Sequence, residues 1–225
     1  MKINSPTELA PYIQHTLIKT GTTYDEIVAH SEEAVKNNFG ATMVPASWIP
    51  EVAEVVKGTG VLVASALDFP TVGVMTSLGK AREAEAIAKA GADQLDIGVQ
   101  IGWLKSGRYD DFRDDIAGVV AAGIPVKVML ELPLLTDDEK ERAIELSIEA
   151  GAAWLKNASS GAVETANPES IRYLVERAPE GVKVKASGSI KSYNQAVSLI
   201  EAGAVALGTS AGLELVKGTE ADTSY

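Results

Sequence analysis

Short apolar runs alternate with longer stretches of mixed polar and apolar residues along most of the chain. The short runs are rich in valine, isoleucine, leucine and alanine, which is typical of strands buried on both faces of a parallel sheet. They predict strands at Tyr12–Thr16, Ala41–Val44, Val61–Ala66, Gln94–Ile97, Val126–Glu131, Trp154–Lys156, Val182–Ala186 and Val205–Leu207. The stretches between them are amphipathic and predict helices at Tyr24–Asn37, Ile49–Val56, Leu78–Lys89, Tyr109–Ala122, Asp137–Glu149, Pro168–Glu176 and Tyr193–Glu201.

Three segments repeat one pattern, in which a helix end closed by glycine is followed by a short apolar strand. They are Lys89–Gly98, Glu149–Ala158 and Glu201–Ser210. Glycine accepts the left-handed backbone angles that close a helix, and repetition of this kind indicates stacked βα units. We therefore expect an α/β protein with a single (β/α)8 TIM barrel over residues 1–217 and a flexible polar tail over residues 218–225. An open doubly wound sheet is the alternative, which the even spacing of the short strands disfavours.

Composition narrows the classes of function. Of the 225 residues, 46% are apolar and 23% are charged, which suits a globular protein with a large core. The net charge of −11 argues against a nucleic-acid surface, and neither a membrane span nor a signal peptide is recognisable. The chain has no cysteine and two histidines, which excludes disulfides, a cysteine nucleophile and a histidine-rich metal site. We therefore expect a cytoplasmic protein that binds neither nucleic acid nor membrane.

Charged residues lie where three predicted strands end, and the carboxyl ends of the strands form the active site in a barrel of this kind. Asp96 ends the fourth strand, Lys156 ends the sixth, and Lys185 lies near the end of the seventh. Because side chains alternate along a strand, all three are expected to point into the barrel. Lys185 would then lower the pKa of Lys156, leaving a neutral amine that can form a Schiff base with an aldehyde or ketone. Asp96 can shuttle protons through a water.

Two alternatives remain for these charged residues. They can form a buried ion triad that only satisfies itself, or the lysines can extend into solvent. Two further lysines have the same alternation: Lys127 is expected to point inward near Asp96, and Lys183 to face inward below Lys185.

Small loops after the last two predicted strands are candidates for binding phosphate. They contain Gly188 with Ser189, and Gly208 with Thr209 and Ser210. Barrel enzymes often bind phosphate at this position through backbone N–H groups, although glycine-rich turns also occur for geometric reasons alone. The joint position of the loops after strands seven and eight favours the functional interpretation.

The order of these residues resembles the deoxyribose-phosphate aldolase family of class I aldolases over nearly the whole chain. His15-Thr-Leu-Ile-Lys19 is similar to the family's opening His-Thr-Leu-Leu-Lys. Gly91–Gly107 closely follows the family's Gly-Ala-Asp-Glu-Ile-Asp-Met-Val-Ile-Asn-Ile-Gly-Ala-Leu-Lys-Ser-Gly, and Val126–Glu131 also fits. The resemblance implies reversible cleavage of 2-deoxy-D-ribose 5-phosphate to D-glyceraldehyde 3-phosphate and acetaldehyde, without a metal or another cofactor.

Carried over to the matching positions, the resemblance makes Lys156 the Schiff-base lysine, Lys185 the lysine that tunes its pKa, and Asp96 the acid of the proton relay. Ser160 and Gly161, in the loop after Lys156, join the candidates for binding substrate and phosphate. Dimers are common in this fold family, and a homodimer or a higher homo-oligomer is left open.

Several positions near the expected site depart from the family pattern. Gln14 stands where the family usually has aspartate, and Met43 where it often has cysteine. The family's Lys-Thr-Ser-Thr-Gly loop becomes Lys156-Asn-Ala-Ser-Ser-Gly161, one residue longer, and its Ala-Gly-Gly-Ile-Arg becomes Ser187-Gly-Ser-Ile-Lys191. These changes leave two alternatives to the family reaction. One is a Schiff-base aldolase or lyase for another aldehyde or keto compound, and the other is a non-catalytic barrel that binds a sugar phosphate.

Overall fold

The computed structural model describes residues 3–224, so the outer ends of the predicted ranges, at residues 1, 2 and 225, lie outside the described residues. The strands are β1 Ile13–Thr16, β2 Ala41–Met43, β3 Leu62–Leu67, β4 Gln94–Gly98, β5 Val126–Met129, β6 Trp154–Lys156, β7 Lys183–Ser187 and β8 Ala206–Thr209. The α-helices are α1 Tyr24–Lys36, α2 Ile49–Val56, α3 Ser77–Ala90, α4 Ile101–Lys105, α5 Tyr109–Val120, α6 Asp137–Glu149, α7 Pro168–Val175, α8 Tyr193–Glu201 and α9 Gly212–Lys217. Short 3-10 helices lie at Pro6–Tyr12, Ala46–Trp48 and Leu132–Leu134.

The strands close into one parallel barrel in chain order. Closure is visible at β1, where Gln14 lies opposite Ala41 of β2 on one side and opposite Gly208 of β8 on the other. The predicted (β/α)8 barrel is therefore confirmed, and the alternative of an open doubly wound sheet is wrong.

The predicted strands and helices are all present, and the differences lie at their ends. Strand β5 stops at Met129 rather than at Glu131, because Glu131 adopts a left-handed backbone with φ 52° that a strand does not accommodate. Strand β8 extends over Gly208 to Thr209, since both residues pair with β1. The short helices α4 and α9 are missing from the sequence prediction because they are too short to produce a periodic pattern.

The two faces of the sheet differ in composition. Outward-facing residues such as Ile97 and Leu155 belong to a large apolar cluster between the sheet and the helices. Inside the barrel, a separate small cluster of Ala41, Met43 and Ala64 occupies the side formed by β2 and β3. Long polar side chains project inward from β4 to β7 on the other side, and they form the candidate site.

The last described residues lie across the loops that follow β7 and β8. The Ala221 N–H donates to the Lys191 carbonyl at 3.0 Å, and the hydroxyl oxygens of Thr209 and Ser224 are 3.1 Å apart. The division of the chain into a barrel and a flexible tail stays a prediction.

Among residues 3–224, no helix combines the length and the apolar character that crossing a membrane requires.

Candidate active site

One carboxylate, that of Asp96, lies among three lysine amines inside the barrel. Its Oδ2 atom is 2.7 Å from Lys185 Nζ and 3.0 Å from Lys156 Nζ, and its Oδ1 atom is 3.0 Å from Lys127 Nζ. All four side chains are buried. The structure thus brings together the three residues predicted as catalytic and adds Lys127 as a direct partner of Asp96.

Four neighbouring strands position this cluster. Asp96 of β4 lies opposite Lys127 of β5, and Lys156 of β6 lies opposite Lys185 of β7. Their neighbours along each strand point outward into the apolar core, so the alternation of the strand directs these four residues inward. The pairing of neighbouring strands in the barrel thus brings four residues that are distant in sequence into one cluster.

The charges of the cluster do not balance, because three amines face one carboxylate in a buried site. Burial acts to raise the pKa of Asp96, but Lys127, Lys185 and Lys156 together hold it well below its usual value. Burial lowers the pKa of Lys127 to about 8, with Asp96 opposing the decrease and the other two lysines adding to it. The carboxylate therefore stays ionised, and the excess of positive charge favours loss of a proton from the amines.

Thioether groups flank the two amines of the predicted Schiff-base chemistry. Lys156 Nζ is 3.5 Å from Met129 Sδ, and Lys185 Nζ is 3.8 Å from Met43 Sδ. A thioether is a weak acceptor that stabilises an ammonium ion poorly. Gln14, at the family's aspartate position, donates from Nε2 to Gln94 Oε1 at 2.9 Å. Because Gln94 lies two residues before Asp96 on β4, this neutral pair lies one layer below the lysine cluster.

The loop after Lys156 is bound to the end of β7 by Asn157. Its side chain accepts from the Ser187 N–H at 2.9 Å and donates to the Ser187 carbonyl at 3.0 Å. It also donates to Glu164 Oε2 at 2.7 Å. The lengthened β6–α7 loop is therefore held against the β7–α8 loop by an amide that supplies both a donor and an acceptor.

Gly161, Gly188 and Ser189 make a tight contact between the same two loops. A Cβ atom at Gly188 would lie 2.0 Å from the Glu164 carbonyl oxygen, and one at Gly161 would lie 1.9 Å from Ser189 Oγ. Ser189 has a left-handed backbone with φ 47°, at a position where the family has glycine. The Ser189 side chain occupies the space beside Gly161, so position 161 has no room for a side chain while Ser189 is present.

The remaining predicted binding residues lie in the loop after β6 and at the end of β8, where Gly208 and Thr209 belong to the strand and not to a loop after it. Thr209 is buried, and its hydroxyl donates to the Ile190 carbonyl at 2.8 Å. Gly208 lies within β8, whereas Ser210 just after it is exposed and Ser160 is half-buried in the β6–α7 loop. All the predicted binding residues thus lie at the end of the barrel where Lys156 lies.

Glu131 is a buried carboxyl group that sequence reasoning leaves out of the site. Its Oε1 atom accepts from the Ser159 N–H at 2.9 Å. Burial raises its pKa, while hydrogen bonds from Ser159 and the charge of Lys156 oppose the increase. Glu131 therefore supports the loop that carries Ser160 and Gly161. The sequence feature that could have identified Glu131 is the position of a charged residue directly after an apolar strand of a barrel.

Two further basic residues, Lys183 and His15, lie on the strands of the barrel. Lys183, expected to face inward below Lys185, lies two residues before Lys185 and therefore on the same face of β7, but it is exposed at the amino-terminal end of the strand, with its amine 5.1 Å from the ring centre of Trp154. His15 points outward from β1, where its Nε2 atom is 2.7 Å from Glu33 Oε1. Neither belongs to the cluster around Asp96.

A cavity of about 400 Å³ opens at the carboxyl ends of β1, β2 and β3. Its walls include Lys19, Trp48, Phe69 and Pro70, and Ala66 of β3 connects it to the barrel interior. The cavity has room for a small organic molecule, and Ala66 in its wall lies opposite Asp96 in the strand register, but neither Asp96 nor the three lysines line it.

Comparison with known proteins extends over the full length of the described barrel. The sequence matches no family model. A deoxyribose-phosphate aldolase of Staphylococcus carnosus is 40% identical over 220 residues, which cover 97% of this chain and 100% of the relative. A deoxyribose-phosphate aldolase of Carboxydothermus hydrogenoformans is 36% identical over 227 residues, covering 98% of this chain and 99% of the relative. The solved tetrameric deoxyribose phosphate aldolase of Aeropyrum pernix is 28% identical with a TM-score of 0.86, and the match covers 96% of this chain and 92% of that one.

Proposed function

We propose that this chain, which belongs to the deoxyribose-phosphate aldolase family, cleaves 2-deoxy-D-ribose 5-phosphate through a Schiff base on Lys156. The chain is a lyase whose substrate is a sugar phosphate. The observation that carries the residue assignment is the pair of buried amines, Lys156 and Lys185, on one oxygen of Asp96. Binding a sugar phosphate needs no such pair, whereas condensation with an aldehyde needs an amine that can be neutral.

In the proposed reaction, the neutral Lys156 amine attacks the aldehyde carbon of the open-chain sugar, and loss of water leaves a protonated imine. Removal of the proton from the C3 hydroxyl breaks the C2–C3 bond and releases D-glyceraldehyde 3-phosphate. The electron pair of that bond moves toward the imine nitrogen and forms an enamine. Protonation of the enamine carbon and hydrolysis of the resulting imine release acetaldehyde and restore the amine.

Asp96 and Lys185 support this chemistry in different ways. Lys185 places a positive charge beside Lys156, which favours the neutral nucleophile. Asp96 remains ionised among the amines, since their charges hold its pKa below the usual range. An ionised carboxylate within 3.0 Å of the Lys156 amine orients that amine and, through a water, can pass a proton between reacting groups without retaining it.

The loops after β6, β7 and β8 are the proposed phosphate site. Backbone N–H groups of these loops are the proposed donors to phosphate oxygens, and Gly161 and Gly188 allow the loops after β6 and β7 to pack closely against each other. The contacts of Asn157 with Ser187 fix the two loops relative to each other. Ser189 replaces a family glycine, and its hydroxyl adds a donor at this position.

Borohydride trapping tests the Schiff base. The enzyme is reduced in the presence of acetaldehyde and, separately, of 2-deoxyribose 5-phosphate, and peptides are mapped by mass spectrometry. We expect an adduct on Lys156 with both compounds, its loss in Lys156→Met, and its retention in Lys183→Met, which removes an exposed lysine. An adduct with acetaldehyde alone would favour an aldolase for another acceptor. The absence of any adduct on Lys156 would refute the mechanism.

We further propose that the chain forms a homo-oligomer. The Aeropyrum pernix relative is tetrameric, and Val74 and Leu78 are apolar side chains with 67% and 71% of their surface exposed near the start of α3. Light scattering should give a mass above that of one chain, and Leu78→Asp should reduce it. A monomeric mass at micromolar concentration would contradict the proposal.

Cytoplasmic localisation stays a prediction from the sequence.

A further inference from the structure

We infer that Lys127 is a positioning residue for the proposed reaction: by pairing with Oδ1 of Asp96, it keeps Oδ2 oriented toward both Lys156 and Lys185. The inference rests on the proposed function and adds to it a residue that acts through Asp96 rather than on the substrate. Lys127 Nζ is 3.0 Å from Asp96 Oδ1, and the lysine side chain is fully buried.

The two oxygens of the Asp96 carboxylate are divided between different partners. Oδ2 lies 2.7 Å from the Lys185 amine and 3.0 Å from the Lys156 amine, whereas Oδ1 faces Lys127. A carboxylate held on both oxygens cannot rotate without breaking an ion pair. The Lys127 contact is an ion pair without hydrogen-bond geometry, so Lys127 acts by electrostatic attraction on Oδ1, which favours the orientation in which Oδ2 faces the Schiff-base lysine.

The position of Lys127 is itself well defined. Across the sheet it lies opposite Asp96 on β4 and opposite Trp154 on β6. Its amine is 5.7 Å from the ring centre of Trp154, a distance at which the aromatic face attracts a cation. Burying a lysine is unfavourable, and an apolar residue at such a position is often equally stable or more stable. A functional role accounts for a cation here, whereas packing alone does not.

Lys127 also affects the electrostatic potential at the Schiff-base lysine. The charged groups around Lys127 are Asp96 on β4, Lys156 on β6, Lys185 on β7 and Lys183, which contacts the same Trp154 ring. Lys156 also interacts electrostatically with Glu131, which follows β5 and is unchanged in every variant tested. Removing the charge of Lys127 would leave Asp96 with two cations, which stabilises the protonated form of Lys156. Because the reaction begins with neutral Lys156, the acid limb of the rate profile would move to higher pH.

Lys183 offers a matched control. Its amine is 5.1 Å from the same Trp154 ring centre, compared with 5.7 Å for Lys127, but Lys183 is exposed and is not one of the three amines paired with Asp96. Replacing either lysine by methionine removes one charge near the ring. Only the change at Lys127 removes a partner of the carboxylate.

The test compares Lys127→Met, Lys127→Arg and Lys183→Met with the wild type. The pH profile of kcat/KM for 2-deoxyribose 5-phosphate is measured, together with borohydride trapping on Lys156 and thermal unfolding. For Lys127→Met we expect a roughly 10–100-fold lower kcat/KM, an acid limb raised by about one pH unit, and retained trapping at alkaline pH. Lys127→Arg, which keeps the charge, should retain the acid limb of the wild type, and Lys183→Met should match the wild type in rate and profile.

An unshifted acid limb in folded Lys127→Met would overturn the inference while leaving the Schiff-base mechanism intact. If Lys127→Met fails to fold, Lys127→Gln replaces it, because it also removes the charge but keeps a polar side chain, and an unshifted acid limb in that folded variant would overturn the inference. Absence of a Lys156 adduct in the wild type itself would refute the proposed function and the inference with it.

Discussion

Replacing Asp96 by asparagine is the most informative single change, because it removes the one carboxylate shared by three buried amines and keeps the side-chain shape. At an effective dielectric constant of about 20, two unit charges 3.0 Å apart attract each other by about 5 kcal/mol. Without the carboxylate the amines lose protons instead of remaining charged, so the net loss is smaller. Breaking a buried ion pair typically costs about 3–5 kcal/mol, and we expect the free energy of unfolding of Asp96→Asn to fall by that amount.

Activity should decrease in the protein that remains folded. A positioned acid or base contributes roughly 10²–10⁴-fold to a rate, and each factor of ten corresponds to about 1.4 kcal/mol of activation free energy. We therefore expect kcat/KM of Asp96→Asn to be lower by roughly 10²–10⁴-fold. The assay follows release of D-glyceraldehyde 3-phosphate, with the folded fraction determined in parallel by denaturant unfolding.

Asp115→Asn is the control, because Asp115 is also a buried carboxylate paired with a buried lysine, Lys80, at 2.7 Å. Lys80 retains Asp68 at 3.0 Å, so we expect a moderate loss of stability and little change in kcat. A folded Asp96→Asn enzyme with kcat/KM within tenfold of the wild type, or an equal loss in Asp115→Asn, would refute the reasoning.

The pH dependence of stability gives a second readout of the same change. The pKa of Asp96 is depressed in the folded state, so its contribution is fully present above its unfolded pKa of about 4 and is lost as the pH falls below it. Asp96→Asn should therefore lose less stability than the wild type on acidification below about pH 4. A parallel decrease in both proteins would contradict this assignment.

Three further predictions concern the loops and the outer face of β1. Gly161→Ala should destabilise the fold by about 1–3 kcal/mol through overpacking, and Ser189→Gly should relieve most of this in the double variant; additive unfolding free energies would contradict the contact. Asn157→Ala should lower the free energy of unfolding by about 2–4 kcal/mol, because it leaves the Ser187 backbone N–H and carbonyl without their Asn157 partners. It should also raise KM for 2-deoxyribose 5-phosphate. An unchanged KM would argue against the two loops forming the phosphate site. Burial and the charge of the neighbouring histidine lower the pKa of His30 to about 3. Below about pH 6.5 the unfolded chain therefore binds a proton at His30 that the folded protein does not bind, and the stability of the fold decreases as the pH falls toward 3. His30→Gln should flatten the decrease of Tm between about pH 6.5 and 4, and an equal decrease in both proteins would refute this.

The fold was predictable because its signals are local and repeated. Several helix starts are marked by a capping side chain, as at Thr136, which accepts from the Glu139 N–H, and glycine marks helix ends, as at Gly91. Evenly spaced short strands then leave few ways to bury both faces of a sheet. Among the strands, the largest boundary errors lie at Glu131 and Gly208, where backbone angles or barrel pairing decide, and neither is a property of residue type.

The sequence by itself determined which chemical groups the barrel can use. Alternation along each strand turns Asp96, Lys156 and Lys185 inward at the ends where such barrels have their sites. The same alternation placed Lys183 inward as well, although it lies exposed below the cluster. Periodicity specifies a face, but it does not specify depth within the barrel or the distance between atoms.

Only the tertiary structure decided which of these groups meet. Asp96 and Lys185 are separated by 89 positions in sequence, yet they lie 2.7 Å apart once the strand register is set. The pairing of Lys127 with the second carboxylate oxygen, and the space above Gly161 that the Ser189 side chain fills, likewise depend on how separate strands and loops approach each other. The physical reason is that side-chain alternation and helix capping are set by neighbours in the chain, whereas ion pairs and loop contacts are set by barrel closure, which involves every strand at once.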